Sequence, residues 1–372
     1  MKILYDHTVF QFQRYGGISR YFYELITRLS TKEDVDISLF HGFHINEYAL
    51  SEHKQNFDSY WGYKWKYKKP AAKYMALMFA IPNKILFDNY MRSSDVNIYH
   101  PTYYMKGLKQ NRKTPTVITV YDMIHELYPD QFRDSETTIK TKKRAISIAD
   151  IIIAISENTK KDLIRIYDVP ESKIKVVYLA SSLQSSNPMA IDELKKGYGL
   201  KRPYILYVGD RRTYKNFNVL LNSYINHFSD DFDLICFGGG KFKTNELKNI
   251  NSRIKNSIIQ LNGSDDLLAS LYKHAFCFVC PSFYEGFGIP PLEAMSMGCP
   301  VIASNASSIP EVVGDAAILF DPHSKDELIC AIESLYDESK RNDLIKRGFE
   351  QEKKFSWDKM ATETLDIYKS IL

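Results

Sequence analysis

Two carboxylates eight positions apart bound the segment Glu285-Gly286-Phe287-Gly288-Ile289-Pro290-Pro291-Leu292-Glu293. It follows the apolar run 276–280 and leads into a short helix ending near Gly298. The glycines let the backbone approach a ligand and take positive φ, and Pro290 or Pro291 suits a first helical position. Backbone N–H groups at the start of the helix are thereby aimed at whatever the loop holds. On a straight helix the two carboxylates would stand ~12 Å apart at 1.5 Å per residue, but the glycine loop can fold them back toward one ligand. Paired carboxylates accept hydrogen bonds and suit a polyhydroxylated substrate. The bland alternative is a tight strand-to-helix turn in which Glu293 complements the helix dipole.

A second cluster, Gly209-Asp210-Arg211-Arg212-Thr213-Tyr214-Lys215-Asn216, lies between the strand Tyr204–Val208 and the helix after it. Cations beside a helix N-terminus make a site for a diphosphate, whose negative charge must be stabilised when it departs. Against this stands a solvated basic loop. Gly16-Gly17 precedes the first helix and offers a second backbone cradle, with Arg20 one turn further on facing phosphate or solvent. Tyr121, Asp122 and His125 supply a hydroxyl, a carboxylate and an imidazole where the strand 116–120 runs into a loop.

These residues need a frame to position them, and the hydrophobic pattern supplies one. Ile3-Leu4-Tyr5 is a short strand, and Ile18, Tyr21, Phe22, Leu25, Ile26 and Leu29 then repeat as one helical face before a strand at 35–40. Strand, glycine loop, helix and strand make a βαβ unit and a parallel sheet. Continuous β-branched runs at 96–99, 116–120, 151–155 and 174–179 suit strands covered on both faces. A polar stretch, Ser181 to Pro188, reads as a linker, after which the pattern restarts with strands at Tyr204–Val208, 232–237, Ile258–Leu261, 276–280 and Val301–Ser304. The expected fold is α/β, with two doubly wound Rossmann-like domains facing across a cleft. Residues 1–182 form the first domain, with a C-terminal helix 357–372 packing back on it, and 183–356 the second. Ligands bind at the carboxyl ends of such sheets, where the clusters above fall.

Composition bounds the rest. The 372 residues are 44% hydrophobic and 25% charged, which excludes disordered, collagen-like and mucin-like chains. Five cysteines, Cys236, Cys277, Cys280, Cys299 and Cys330, are odd in number and point to a reducing cytoplasm. The start shows no apolar h-region of a secretory signal, and no uncharged run reaches the ~18–20 residues of a spanning helix.

The formal charge of +4 is concentrated: residues 59–87 hold six lysines and no acid, so the remainder carries 4 − 6 = −2. In this stretch Trp61, Lys64, Trp65, Lys66, Lys68 and Lys69 interleave aromatics with cations, and an apolar run, 74–81, follows. That composition suits docking on an anionic membrane surface. The alternative is an apolar run buried as core beneath a solvated lysine cover. A near-neutral remainder without an RNA-binding motif argues against nucleic acid as a partner.

The run from Glu285 to Glu293 resembles the E-x7-E signature of the retaining family-4 glycosyltransferases of the GT-B fold. The stretches 294–304 and 309–317 are similar to the same pattern, and Tyr15-Gly16-Gly17-Ile18-Ser19-Arg20-Tyr21 resembles the family's glycine loop. The resemblance implies that Glu285 contacts the transferred sugar, Glu293 the ribose, and the Gly286, Phe287 and Gly288 loop sugar hydroxyls or phosphate through backbone amides. It assigns the diphosphate to Lys215 and an arginine, here Arg211 with Arg212 as the alternative because Asp210 occupies the usual position, with Gly16 and Gly17 as the other half of the cradle. Where many relatives carry a sugar-binding histidine this chain has Tyr121, with His125 four residues on.

The implied activity is metal-independent transfer of a hexose, mannose from a GDP-sugar, with retention of configuration. The resemblance further implies a lipid-linked glycan acceptor of surface polysaccharide of the O-antigen type, and an enzyme that is cytoplasmic, peripheral on the inner membrane face, and without a cofactor. Two alternatives stay open: a nucleotide-sugar epimerase of similar fold, and a non-catalytic sugar-nucleotide-binding protein. Three weaker motifs are set aside. Cys277-Phe278-Val279-Cys280 places its thiols on opposite faces of a strand, and Asp34-Val35-Asp36 and Asp231-Phe232-Asp233 read as solvated acids at strand starts. Gly238-Gly239-Gly240 says only that a strand ends there.

Overall fold

The computed structural model describes residues 1–65, 77–105, 107–108, 113–183, 188–243, 246–247 and 250–372. Lys66, Lys68, Lys69 and the linker residues 184–187 lie outside the described residues. The chain divides into two compact units, Met1–Leu179 with Trp357–Leu372, and Ala180–Ser356.

In the first unit, β1 (Lys2–Tyr5), β2 (Asp36–His44), β3 (Ser59–Lys64) and β4 (Ile98–His100) form a parallel sheet in the order β3-β2-β1-β4. A second parallel sheet holds β5 (Val117–Val120), β6 (Ile151–Ala154) and β7 (Ile174–Val176). One parallel bridge, Tyr99 to Thr116, joins them. β1, β5 and β6 are almost wholly buried, in keeping with strands covered on both faces.

β3 was not foreseen. Its aromatics face the sheet rather than solvent alone: Trp61 stacks on Phe40 at 4.9 Å and meets Phe43 edge-on at 5.4 Å. Aromatics interleaved with lysines hide a strand, because the pattern also suits a surface patch.

The helix Trp357–Lys369 belongs to this unit. Tyr368 Oη lies 3.0 Å from Tyr5 Oη and also pairs with His100 Nδ1, while His100 Nε2 is 2.9 Å from Thr119 Oγ1. All of these side chains are buried, so the network is satisfied internally and ties the last helix to β1, β4 and β5.

The second unit is one six-stranded parallel sheet. Its members are β8 (Tyr204–Val208), β9 (Asp233–Phe237), β10 (Ile258–Leu261), β11 (Cys277–Cys280), β12 (Val301–Ser304) and β13 (Ala317–Phe320), ordered β10-β9-β8-β11-β12-β13. The order reverses between β8 and β11, the switch point at which doubly wound sheets bind ligands. On one face of the sheet Phe217, Leu220, Leu221, Tyr224 and Phe228 cover Ile205, Leu234 and Val279. That face of the following helix is the one the apolar spacing predicts, ending in a π turn at Tyr224–Phe228.

β13 was also unforeseen, because its four residues, between Gly314-Asp315 and Asp321-Pro322, make too short an apolar run to tell a strand from a helix segment. Asp233 is a correction: it is 2% exposed rather than solvated, and its carboxylate takes Arg202 at 3.0 Å and the Lys201 amide at 2.9 Å. A buried carboxylate persists only when paired in this way.

Candidate active site

β8 and β11 are neighbours in the sheet, so the loops leaving their carboxyl ends meet. The amide of Phe283, after β11, donates to the Tyr214 carbonyl, after β8, at 2.8 Å. Tyr214 itself is buried, and Asn216 holds a left-handed conformation (φ 52°) with its side-chain amide donating to the Pro322 carbonyl at 2.7 Å. The turn Thr213–Lys215 is thereby fixed at both ends.

It places Lys215 Nζ 2.7 Å from Glu285 Oε1 and 2.9 Å from Oε2. Burial alone would lower the Lys215 ammonium, but the Glu285 carboxylate outweighs it and raises the group well above the ordinary lysine range. Lys215 is therefore a fixed cation at neutral pH.

Three serines hold the Glu285 side of this pair. Ser282 Oγ donates to Glu285 Oε1 at 2.6 Å. Ser307 Oγ accepts from the Glu285 amide at 3.1 Å and donates to its carbonyl at 2.6 Å, and Ser308 Oγ donates to the same carbonyl at 2.9 Å and to that of Phe287 at 2.7 Å. Both faces of the loop are thus pinned by the turn after β12.

Of the two loop glycines only Gly288 has a positive φ, 116°, and a Cβ there would meet Ile309 Cδ1 at 3.0 Å. Gly286 is not left-handed, a correction to the expectation for both. Gly288 caps the helix Ile289–Ser296, with a proline in its first turn. Phe287 is buried with its ring edge-on to Phe355 at 5.7 Å, so only its backbone is offered outward. Glu293 is 9% exposed and accepts from Tyr272 Oη at 3.2 Å.

Arg211 does not join Lys215. Its guanidinium is 5% exposed, donates from Nε to Glu246 Oε1 at 2.8 Å and to the Gly240 carbonyl at 3.0 Å, and lies over the Phe242 ring at 4.1 Å. It is a strut between the turns after β8 and β9. Gly239 makes that approach possible, since a Cβ there would stand 2.5 Å from the Gly209 carbonyl oxygen. Arg212 is more open, at 45% side-chain exposure, with Asp210 at 3.5 Å.

In the first unit, Gly16 is extended (φ 178°), and its space is limited by Gln13, whose Oε1 would lie 2.5 Å from a Cβ. Gln13 Oε1 accepts the Ser19 amide at 3.1 Å, so a glutamine before the loop caps the helix Gly17–Leu29. Gly17 has open space around it. Arg20 Nε donates to Tyr48 Oη at 3.1 Å.

Tyr121 is 7% exposed, and its buried hydroxyl has no partner among the described residues. Burial pushes that phenol well above its ordinary range. The His125 ring lies tilted by 36° against Phe132 at 4.4 Å, its Nδ1 also without a partner among the described residues, and burial lowers its imidazole. Asp122 accepts the Ile124 amide at 3.1 Å. The loop rests on Lys142, a 1% exposed ammonium that donates to the Asp122 carbonyl at 2.9 Å and to Glu126 Oε2 at 2.8 Å.

Residues 190–351 match the family model "Glycosyl transferases group 1", and residues 15–182 match "Glycosyltransferase Family 4". Over 382 aligned residues the chain is 31% identical to O-antigen chain mannosyltransferase B of Escherichia coli, covering 95% of this chain and 96% of that one. The chain belongs to glycosyltransferase family 4. Solved structures agree on a GT-B fold for this glycosyltransferase. Sucrose-phosphate synthase from Thermosynechococcus elongatus superposes with a TM-score of 0.75 at 18% identity, covering 100% of this chain and 98% of that one. Anabaena Alr3699/HepE in complex with UDP-glucose superposes at 0.67 and 16% identity, with both chains fully covered.

The residues that position the glycosyltransferase's ion pair gave little warning in sequence. Ser282, Ser307 and Ser308 are small polar residues of a kind found in any loop, and Glu246 lies 35 positions from Arg211. Only the positive φ of Ser307 (56°) marks its turn as unusual, and that is a structural signal. Lys142 was hidden because its helix, Ser135–Ile148, is rich in cations that mostly face solvent.

Proposed function

We propose that this glycosyltransferase moves mannose from GDP-mannose to a glycan acceptor carried on a lipid, with retention of anomeric configuration. The Lys215–Glu285 pair at the sheet switch point of the second unit carries the reading. Lys215 offers a permanent cation to the β-phosphate, Glu285 a carboxylate to a sugar hydroxyl, and Glu293 a second carboxylate to the ribose. The amides of residues 286–288 face the same ligand. Arg212, the more open arginine, is the better second cation, and Arg211 serves as its support.

Bond breaking separates charge: the anomeric carbon becomes oxocarbenium-like while the second negative charge builds on the departing nucleoside diphosphate. A fixed ammonium aimed at that phosphate lowers the barrier without a protein nucleophile. The acceptor hydroxyl then forms its bond to the anomeric carbon on the face being vacated, and its proton passes to the departing phosphate oxygen. Mannose and GDP are favoured because the full-length E. coli relative is by name an O-antigen mannosyltransferase. The Anabaena structure holds UDP-glucose, but at 16% identity it speaks for the fold and not for the base. Such acceptors place the enzyme at the inner face of the cytoplasmic membrane.

Thermal unfolding with a panel of GDP-, UDP- and dTDP-sugars tests the donor. A ligand at a hundred times its Kd stabilises the folded chain by about 2.7 kcal/mol. GDP-mannose is expected to raise the Tm most, and a rise with UDP-sugars alone contradicts the assignment. Mannose recovered in an acceptor product, with none epimerised in donor-only controls, separates transfer from epimerisation and from simple binding.

A further inference from the structure

Lys142 lies where an apolar side chain belongs. Its helix, Ser135–Ile148, turns Thr138, Ala145 and Ile146 into the first unit, and position 142 falls on that same face. The neighbouring cations Lys140, Lys143 and Arg144 face solvent. The Lys142 side chain is 1% exposed, and an ammonium taken out of water costs several kcal/mol unless its donors are met.

They are met by one short segment. Nζ donates to the Asp122 carbonyl at 2.9 Å and to Glu126 Oε2 at 2.8 Å, with Asp122 Oδ1 at 3.9 Å and the Tyr104 ring centre at 5.7 Å. Glu126 Oε1 accepts from Tyr167 Oη at 2.6 Å, so both of its oxygens are occupied. Burial and the Glu126 carboxylate push the Tyr167 phenol above its ordinary range, so it stays a donor. Tyr167 is the last residue of the helix Glu157–Tyr167. Two helices thereby grip the segment Asp122–Glu126, by its backbone at one end and by its carboxylate at the other.

Stability does not account for this arrangement. Replacing a buried ion pair by apolar side chains of similar volume is often neutral or stabilising. Methionine has nearly the length of lysine and would suit the apolar face. What the ammonium adds is direction, since apolar contacts tolerate sliding and two short charged hydrogen bonds do not.

The gripped segment leaves the carboxyl end of β5, where parallel sheets present ligands. Tyr121, directly before the held carbonyl, keeps a buried hydroxyl with no partner among the described residues. Such a group costs free energy until a ligand or water meets it. The Asp122 carboxylate keeps 32% of its side-chain surface exposed. A hydroxyl and a carboxylate side by side suit the hydroxyls of a sugar.

We infer that Lys142 is a positioning residue for the transfer reaction: by holding the Asp122 carbonyl and Glu126 it presents the Tyr121 hydroxyl and the Asp122 carboxylate to sugar hydroxyls. This rests on the sugar-transfer reading. Water competes with the acceptor hydroxyl for the anomeric carbon and needs no such alignment. Displacing the loop therefore lowers transfer more than hydrolysis, and a misplacement of ~1 Å can cost about 100-fold. The ratio of the two products does not depend on how much of the protein is folded, which separates positioning from stability.

The test compares the full-length wild type with Lys142→Met combined with Glu126→Gln, which removes both buried charges together. Each receives whichever nucleotide sugar the wild type consumes, and transferred and hydrolysed sugar are both measured. The ratio of transfer to hydrolysis is expected to fall at least ~ten-fold in the double variant. Glu126→Gln alone keeps Lys142 on the Asp122 carbonyl and should hold the ratio within about three-fold. An unchanged ratio in the double variant, a double variant that does not fold, or the full loss in Glu126→Gln alone would overturn the positioning role. A wild type that transfers a sugar other than mannose overturns the donor assignment alone, and the ratio measured with that sugar still decides the role of Lys142. A wild type that transfers no sugar overturns both.

Discussion

Lys215 and Glu285, seventy residues apart in sequence, meet through two short contacts, Nζ to Oε1 at 2.7 Å and to Oε2 at 2.9 Å. Both side chains are mostly buried, at 19% and 13% exposure. Each restrains the other's rotamer, so the cation and the carboxylate are set in place in the unliganded chain. Preorganisation of this kind avoids reorganisation during the reaction.

Lys215→Ala and Glu285→Ala should each lower turnover at least ~100-fold, the scale of removing one group that stabilises developing charge. Because each residue positions the other, the double variant should lose less than the product of the two single losses. Steady-state kinetics on the three variants measures this, and normal kcat in both single variants would remove the pair from the mechanism.

Ser282→Ala leaves the ion pair but removes the 2.6 Å hydrogen bond that orients Glu285 Oε1. Because Lys215 still holds Glu285, the loss should be that of the weaker hydrogen bonds to charged groups, about 1.5 kcal/mol, so kcat/KM should fall by roughly ten-fold. A much smaller effect than that of Glu285→Ala distinguishes a positioning serine from a reacting group.

Arg211→Met should act on stability first. It removes the cation held by Glu246 and leaves that carboxylate partly buried without its partner, at a cost of about 3 kcal/mol for a buried pair and less here because Glu246 is 26% exposed. The Tm should drop, while Arg212→Ala should leave the Tm nearly unchanged and weaken donor binding. The reverse pattern would return the diphosphate role to Arg211.

Acid should loosen the first unit. Burial lowers the His100 imidazole to about 3, and burial together with the Lys64 charge lowers His44 to about 4. His41 is pushed well below its usual value by burial and by His44 and His7. Each stays neutral in the folded chain, whereas the unfolded chain protonates near 6.5. Their contribution is therefore complete above pH 6.5 and declines as the pH falls, by about 1.4 kcal/mol per histidine at pH 5.5. Urea midpoints between pH 7.5 and 5 check this, and His44→Gln should flatten the profile.

How much of this was legible depends on how local the signal is. Glu285, Glu293 and Lys215 sit in segments whose glycines, prolines and flanking strands announce a strand-to-helix loop, and eleven of the thirteen strands among the described residues follow from continuous apolar runs. Pairwise choices across long separations were not legible. Nothing near Arg211 says that Glu246 will hold it, nothing near Asp233 says that Arg202 will bury it, and the serines beneath Glu285 look like any loop serines. The apolar run 74–81 read equally well as core or as surface, because apolar character alone does not say what covers it. Asn83, buried on the opposite helix face with its side-chain amide on Gln11 Oε1 and the Phe43 carbonyl, leaves Leu77, Met78 and Ile81 exposed.

The central claim is retaining mannosyl transfer dependent on the Lys215–Glu285 pair. Nuclear magnetic resonance of the product formed from GDP-α-mannose, by the wild type and by Glu285→Gln, tests it most directly. An α-linked mannoside from the wild type, with product formation lost at least ~100-fold in the variant, is the predicted result. A β-linked product, or equal rates in the two proteins, would contradict it.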